Sequence, residues 1–137
     1  MRNSQNASPA LRLGMIGAGR WAAEAHLPGF RACDGVRIEA IADVDRARAA
    51  EVAAGFGVPR VYDSAEAMLA EAPLDLVAIA TPDDAHAAAA AAALARGLHV
   101  LCEKPLATTV ADAARLTRLA AAAGVVTRVG FAMRFAP

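Results

Sequence analysis

Aromatic side chains, cysteines and net charge are all scarce in this sequence of 137 residues. Phe, Trp and Tyr make up 4% of it, and 14 Lys and Arg balance 14 Asp and Glu. A chain without net charge lacks the basic surface by which proteins bind nucleic acid or anionic membranes. Cys33 and Cys102 stand far apart, in neither a disulfide-scaffold nor a zinc-ligand spacing. The composition therefore predicts no nucleic-acid partner, no membrane partner and no metal site.

Long hydrophobic runs are also missing. The longest, Ala87 to Ala95, is almost pure alanine and falls well short of the roughly 18 residues that a membrane span requires. Residues 1–10 are mostly polar, and they show neither the apolar stretch of a secretory signal nor twin arginines. We therefore predict a flexible tail over residues 1–10, a folded domain over residues 11–137, and a cytoplasmic location.

Short β-type runs alternate with alanine-rich helical runs along the rest of the chain. Six runs have the character of buried strands: Leu13–Ile16, Val36–Ala42, Arg60–Tyr62, Leu74–Ala80, His99–Cys102 and Val125–Phe131. Five helical runs separate them: Trp21–Ala32, Asp45–Phe56, Ser64–Ala72, Asp84–Arg96 and Thr109–Ala123. Strict alternation predicts an α/β fold with a doubly wound, six-stranded parallel sheet in the order 3-2-1-4-5-6, a Rossmann fold.

Residues that favour helix ends support these boundaries. Two pairs resemble capping boxes: Asp63 with Glu66, and Thr109 with Asp112. Gly97 and Gly124 each follow a helical run, where a left-handed residue commonly ends a helix.

The segment Gly17-Ala18-Gly19-Arg20-Trp21-Ala22 stands directly after the first strand and opens the first helix. It fits the pattern G-x-G-x-x-G/A of dinucleotide-binding turns. In that interpretation Gly17 makes the tight turn, Gly19 lets the backbone approach a pyrophosphate, and Ala22 lets the helix pack closely on the strand. The alternative is a glycine turn that serves packing alone.

Asp43 follows the second strand, at about the distance from the glycine turn where an acid holds the adenosine ribose. Its carboxylate would accept hydrogen bonds from both ribose hydroxyls and repel a 2′-phosphate, which favours NAD over NADP. Arg46 and Arg48 lie close by, so NADP is kept as an alternative. The competing interpretation makes Asp43 a solvated acid, or a cap for the helix at Asp45.

The fourth strand ends in the loop Thr81 to His86. Ligands of open α/β sheets bind beyond the carboxyl ends of the strands, near the point where the strand order reverses. This rule puts Thr81 and Pro82 at the binding crevice. Asp83 or Asp84 is expected to cap the next helix, and His86 to face either the cofactor or solvent.

The fifth strand ends in Cys102-Glu103-Lys104-Pro105, and Lys104 is the only lysine in the chain. A lysine can give or take a proton where an arginine cannot, so Lys104 is the candidate catalytic residue. The alternative is an exposed lysine paired with Glu103.

Arg134 follows the sixth strand and is expected to reach either the substrate or the protein surface. His26 and His99 are expected to be packing or hydrogen-bonded residues.

Together these motifs resemble the N-terminal domain of the glucose-fructose oxidoreductase, inositol dehydrogenase and rhizopine-catabolism (Gfo/Idh/MocA) family. The resemblance rests on five blocks: Ile16 to Trp21 with His26-Leu27-Pro28, Ala42-Asp43, Ala80-Thr81-Pro82 with His86, Glu103 to Leu106, and Val129-Gly130-Phe131 with Arg134-Phe135. It implies an NAD(P)-dependent dehydrogenase or reductase that acts on a sugar, a polyol or a related metabolite.

The resemblance also implies roles for single residues. It aims Lys104 at the reacting oxygen of the substrate and brings Arg134 near the substrate. The predicted contacts with the dinucleotide are Gly17, Ala18, Gly19, Arg20, Trp21, Ala22, Asp43, Ala80, Thr81, Pro82, His86, Glu103 and Pro105. Pro105 matches a proline that often follows a cis peptide bond.

Members of this family continue into a second α/β domain that binds the substrate, and we expect that domain to be absent from this chain. A homo-oligomer is a further expectation. The alternative function is a non-catalytic module that binds NAD or docks on a partner. A methyltransferase is a third hypothesis, in which Glu103-Lys104-Pro105 would have no chemical role.

Overall fold

The computed structural model describes residues 9–136, and the predicted tail over 1–10 falls largely outside them. Six strands form one parallel sheet in the order β3-β2-β1-β4-β5-β6. The strands are β1 (Leu11–Ile16), β2 (Val36–Ala42), β3 (Arg60–Tyr62), β4 (Leu76–Ile79), β5 (His99–Glu103) and β6 (Thr127–Gly130). The predicted fold class and strand order are confirmed.

Five helices connect the strands. Helix α1 begins with a π-helical turn, Ala22–His26, and continues as an α-helical turn, Leu27–Arg31. The others are α2 (Arg46–Phe56), α3 (Ala65–Glu71), α4 (His86–Ala95) and α5 (Val110–Ala123). Short 3₁₀ turns, Asp83–Ala85 and Ala132–Phe135, precede α4 and follow β6.

Three of the predicted helix ends agree with the structure and one does not. The Thr109 hydroxyl oxygen accepts a hydrogen bond from Asp112 N–H at 3.1 Å, and Gly97 and Gly124 take positive φ angles of 70° and 65°. The predicted Asp63 cap is wrong. Ser64 is extended, and its side chain accepts from the N–H of the residue three positions later at 3.2 Å, which leaves Asp63 outside the helix.

Helix packing builds an apolar layer on each face of the sheet. One layer lies under α3, α4 and α5, and the other under α1 and α2. The largest fully buried side chains include Leu13, Met15, Ile41 and Ile79 of the central strands. Alanines at Ala89, Ala90 and Ala93 fill much of the space between α4 and the sheet. Because alanine is small, these positions allow α4 to pack closely on the strands.

The predicted helical run Trp21–Ala32 is helical, but its first turns are not regular α-helix. Leu27 N–H donates to Ala22 O, five residues back, so one extra residue is inserted into the helical turn. Turns of this kind are rare and occur often at functional sites.

Among residues 9–136, no helix is long and apolar enough to cross a membrane. Within the same range, no group of three or more His, Cys, Asp or Glu side chains is arranged to hold a metal ion.

Candidate dinucleotide and substrate clefts

Two clefts open at the carboxyl ends of the strands. The first, which we name the Lys104 cleft, has a volume of about 840 Å³ and lies among the ends of β4, β5 and β6. The second, the turn cleft, has a volume of about 670 Å³ and lies between the glycine turn, the end of β2 and the start of α4. Trp21, Ala80 and Thr81 line both of them. The two clefts therefore adjoin at these three residues.

Gly17 brings the glycine turn against the end of β4. Its φ angle is +100°, and a Cβ atom at this position would lie 2.5 Å from the Ala80 carbonyl oxygen. Its N–H donates to Ala42 O at 2.8 Å. Only glycine satisfies both the dihedral angle and the close approach, which explains the sequence pattern at its first position.

Gly19 is different, since a Cβ atom there would meet no protein atom within 4 Å. The fold itself does not require glycine at this position. Open space beside the backbone, at the start of a helix whose first N–H groups lack partners within the helix, fits a pyrophosphate that approaches the main chain. The residues present therefore fit the predicted dinucleotide.

The remaining residues of the turn divide into buried and exposed ones. Ala18 and Ala22 are buried, so their side chains pack in the core, and Ala22 serves the close helix packing predicted for it. Arg20 is exposed and pairs with Glu24, one turn along the helix, at 2.9 Å. Trp21 is 53% exposed and borders both clefts.

Asp43 is already bound to the glycine turn. Its Oδ2 accepts Ala18 N–H at 2.7 Å, and its Oδ1 accepts Asp45 N–H and an Arg48 N–H, both at 2.8 Å. A carboxylate has about four acceptor positions, so one remains, and two if Arg48 withdraws. The alternative role as the cap of α2 is wrong, because Asp45 accepts Arg48 N–H there.

The loop after β4 differs from the prediction in its helix caps. No side chain caps the 3₁₀ turn or α4, so the expected caps Asp83 and Asp84 are wrong. His86 does not face solvent but lines the Lys104 cleft, and its contact with the cofactor stays a prediction. The residue is buried, and Nδ1 and Nε2 lie 2.6 Å from Pro105 O and 2.9 Å from Thr81 O. It ties the loop after β4 to the loop after β5.

Glu103 ends β5 with a carboxylate that is 15% exposed. Trp21 Nε1–H donates to its Oε1 at 2.9 Å, and His26 Nε2 lies 2.9 Å from the same oxygen. Lys104 N–H donates to Oε2 at 3.3 Å. The prediction that Glu103 contacts the dinucleotide remains a prediction, and the contacts in the structure are with the protein.

Lys104 is exposed at the rim of the cleft that carries its name, and the peptide bond to Pro105 is cis. Its side chain forms no ion pair with any residue in the range 9–136, so the alternative pairing with Glu103 is wrong. Cys102, directly before Glu103, is buried. Burial, with a smaller effect of the Glu103 charge, raises the pKa of its thiol to about 12, which makes Cys102 a packing residue.

The far wall of the Lys104 cleft is formed by the 3₁₀ turn after β6. Arg134 lines this wall together with Phe131 and Met133. Phe131 is 54% exposed, and Met133 and Phe135 are more than four-fifths exposed. The cleft therefore offers the two cations Lys104 and Arg134 beside an apolar surface.

Residues 11–131 match the pattern of an oxidoreductase family with an NAD-binding Rossmann fold, the Gfo/Idh/MocA family. The chain belongs to this family. The resemblance stated above is confirmed, and the domain is the family's NAD-binding domain.

Relatives and solved structures agree on this membership. D-xylose 1-dehydrogenase (NADP(+)) 2 of Haloferax volcanii is 39% identical over 127 residues, covering 93% of this chain and 39% of the relative. Inositol 2-dehydrogenase 1 of Saccharopolyspora erythraea is 35% identical over 129 residues, covering 93% and 38%. An oxidoreductase of Agrobacterium radiobacter, crystallised with NAD⁺, L-tartaric acid and magnesium, superimposes with a TM-score of 0.83 at 32% identity, over 87% of this chain and 34% of that one. The chain thus spans less than two-fifths of each of these proteins.

Sequence reasoning missed two features of the site. His26 was expected to be a packing or hydrogen-bonded residue, and it is hydrogen-bonded, but its partner could not be foreseen. The family resemblance includes Gly130, but no role was predicted for this residue. A Cβ atom there would lie 2.8 Å from Glu103 Oε1, a contact that no local pattern signals.

Proposed function

We propose that this chain is the cofactor-binding part of an oxidoreductase, and that the dinucleotide lies across both clefts. The observation that carries the proposal is the shared wall of Trp21, Ala80 and Thr81. A dinucleotide whose pyrophosphate lies beside Gly19 in the turn cleft can cross this wall and present its nicotinamide in the Lys104 cleft. The bound nicotinamide supplies hydride transfer.

Lys104 acts on the substrate side. Its ammonium group is exposed to the cleft and has no ion-pair partner among the described residues, so it is available to donate a hydrogen bond or a proton to a hydroxyl or carbonyl oxygen. Arg134 lines the same cleft and orients the substrate through its fixed guanidinium donors. Both roles agree with the family resemblance.

Asp43 holds the adenosine ribose and favours NAD over NADP. Its remaining acceptor position suits a ribose hydroxyl, whereas a 2′-phosphate would meet a carboxylate of the same sign. Arg48, which now lies 2.8 Å from Asp43, is the group that would have to move for a second ribose hydrogen bond. Asp43 therefore both braces the glycine turn and recognises the sugar.

The substrate proposed for the longer protein is a sugar, a polyol or a related carbonyl compound. The names of the xylose and inositol dehydrogenases among the relatives support this class. In relatives of this kind much of the length lies outside the part that matches here, and we propose that a second domain completes the substrate pocket. A homo-oligomer and a cytoplasmic location stay predictions from the sequence.

Calorimetric titration with NAD and NADP tests the cofactor proposal, with a matched pair of glycine variants. Gly19→Ala places a methyl group in the open space of the turn cleft, and Gly55→Ala places one in equally open space on α2. We expect NAD to bind more tightly than NADP, and Gly19→Ala to weaken NAD binding roughly tenfold or more because hydrogen bonds to the phosphates are lost.

Gly55→Ala serves as the control and should bind NAD like the unmodified chain, with a slightly higher melting temperature. Equal binding by all three chains would place the dinucleotide away from Gly19 and reject the proposal. If the unmodified chain bound neither NAD nor NADP, the proposal that this chain binds the cofactor by itself would be rejected.

A further inference from the structure

The Glu103 carboxylate lies where three elements of the fold meet. Its Oε1 accepts the indole N–H of Trp21, the residue directly before α1, at 2.9 Å. The same oxygen lies 2.9 Å from His26 Nε2 of α1. Glu103 itself ends β5, and Gly130 ends the neighbouring strand β6. One carboxylate oxygen thereby connects α1 and the residue before it with the end of β5, beside the end of β6.

The π-helical turn makes this double contact feasible. In a regular α-helix, residues five apart point about 140° away from each other around the axis. Trp21 and His26 are five apart, and both reach the same oxygen. The turn Ala22–His26 contains one more residue than an α-helical turn, so it rotates His26 back to the side of Trp21.

Gly130 makes room for the carboxylate from the opposite side. A Cβ atom on Gly130 would lie 2.8 Å from Glu103 Oε1 and 3.0 Å from Glu103 Cδ. Its φ angle is not in the left-handed region, so backbone conformation does not explain the glycine. The space is instead occupied by the Glu103 side chain.

We propose that Glu103 is a positioning residue that fixes the Trp21 ring at the boundary of the two clefts, with His26 as its second anchor. This inference rests on the proposed function, in which the dinucleotide crosses that boundary. Glu103 also accepts Lys104 N–H at 3.3 Å, so the same side chain sets both the ring beside the cofactor path and the backbone of the proposed catalytic lysine. We name the group Trp21, His26, Glu103 and Gly130 the latch.

Glu103 lines the Lys104 cleft, but its polar contacts are with the protein, which supports a positioning role. The side chain is only 15% exposed, and Oε1 already has two ring nitrogens beside it. Among the described residues, no arginine or lysine side chain pairs with Glu103. The carboxylate is therefore occupied by the residues that it orients.

The latch can be tested without any ligand by tryptophan fluorescence, because Trp21 is the only tryptophan of the chain. We expect Glu103→Ala to shift the Trp21 emission to longer wavelength and to lower its anisotropy, since the indole loses its acceptor. Gly130→Ala should have the same effect by displacing the carboxylate, without removing any polar group. Emission and anisotropy unchanged in both variants would overturn the proposal.

Two further variants separate positioning from general loosening. Glu103→Gln keeps an oxygen for Trp21 and His26, so its Trp21 emission should match that of the unmodified chain. Asp75→Ala removes a carboxylate with three hydrogen bonds at the opposite end of the strands and should leave Trp21 emission unchanged. If Asp75→Ala changes Trp21 as much as Glu103→Ala does, the effect is a general loss of rigidity and the latch is rejected.

Energy transfer from Trp21 to bound NADH links the latch to the cofactor. We expect Glu103→Ala and Gly130→Ala to weaken NADH binding, measured by this transfer, roughly tenfold, as for loss of a charge-assisted hydrogen bond, and Glu103→Gln to restore most of it. If variants with altered Trp21 emission bound NADH as tightly as the unmodified chain, the claim that the latch supports cofactor binding would be overturned. Absence of energy transfer to NADH in the unmodified chain would contradict the proposed function. The Trp21 emission measured without ligand would still decide whether Glu103 holds Trp21.

Discussion

The two ends of the parallel strands use their charged residues in different ways. Towards the amino ends, the carboxylates pair with arginines: Asp75, just before β4, with Arg12 at 2.9 Å, and Glu39, in the middle of β2, with Arg37 and Arg60 at 2.7 and 3.1 Å. At the carboxyl ends, Asp43 and Glu103 accept mostly backbone or ring N–H groups. Lys104 and Arg134 have no ion pair there within residues 9–136.

This difference separates stabilisation from binding. A cation that is already paired has little to offer a ligand, whereas an exposed cation without a partner can meet a substrate oxygen. At the carboxyl ends, Arg48 and Arg20 beside the turn cleft are paired with Asp43 and Glu24. Lys104 and Arg134 of the Lys104 cleft have no ion pair among the described residues and are available to a ligand. We therefore expect removal of an unpaired cation at the carboxyl ends to affect binding or turnover, and removal of a paired carboxylate at the amino ends to affect stability alone.

The largest expected effect comes from Gly17→Ala. The substitution combines a φ angle of +100° with a Cβ atom 2.5 Å from Ala80 O. Strain and overpacking together should lower the free energy of unfolding by about 3 kcal/mol, as measured by urea denaturation. Gly19→Ala, two residues on, should leave it nearly unchanged. Equal stability of the two variants would show that the close approach of the turn to β4 is not required.

A second variant, Lys104→Ala, should separate turnover from stability. Its side chain is exposed and unpaired among the described residues, so the free energy of unfolding should change by less than about 0.5 kcal/mol. In the longer protein, NAD-linked oxidation of a sugar or polyol should fall by about a hundredfold or more if Lys104 transfers a proton, with little change in NAD affinity. Parallel loss of affinity and turnover would make Lys104 a cofactor ligand instead.

The smallest effect is expected at the amino ends. Hydrogen bonds from Arg12, followed by its charge, lower the pKa of Asp75 from 3.8 to about 2. A carboxyl group with a lowered pKa stabilises the fold when it is ionised, so its contribution is complete above about pH 4 and is lost as the pH falls towards 2. Asp75→Ala should reduce this acid sensitivity in thermal melts and leave NAD binding intact. A loss of NAD binding would contradict the division between the two ends.

Local sequence patterns were sufficient to predict the structure where interactions between neighbouring residues determine it. The alternation of strands and helices, the Thr109 cap and the glycines that end helices depend on interactions within a few residues. The glycine turn belongs to the same class, because a positive φ angle restricts the residue type directly. The Asp63 cap failed since Ser64, the next residue, competes for the same role.

The sequence by itself therefore determined the fold class, the strand order and the segments that meet at the carboxyl ends of the sheet. Only the tertiary structure decided that His86 bridges two carbonyl oxygens, that α1 contains a π-helical turn, and that Glu103 holds Trp21 and His26. For the contacts of Glu103, and for that of His86 with Pro105, the physical reason is distance along the chain. Trp21 and His26 are 82 and 77 residues away from Glu103, and contacts between such distant residues are set by how the strands and helices pack.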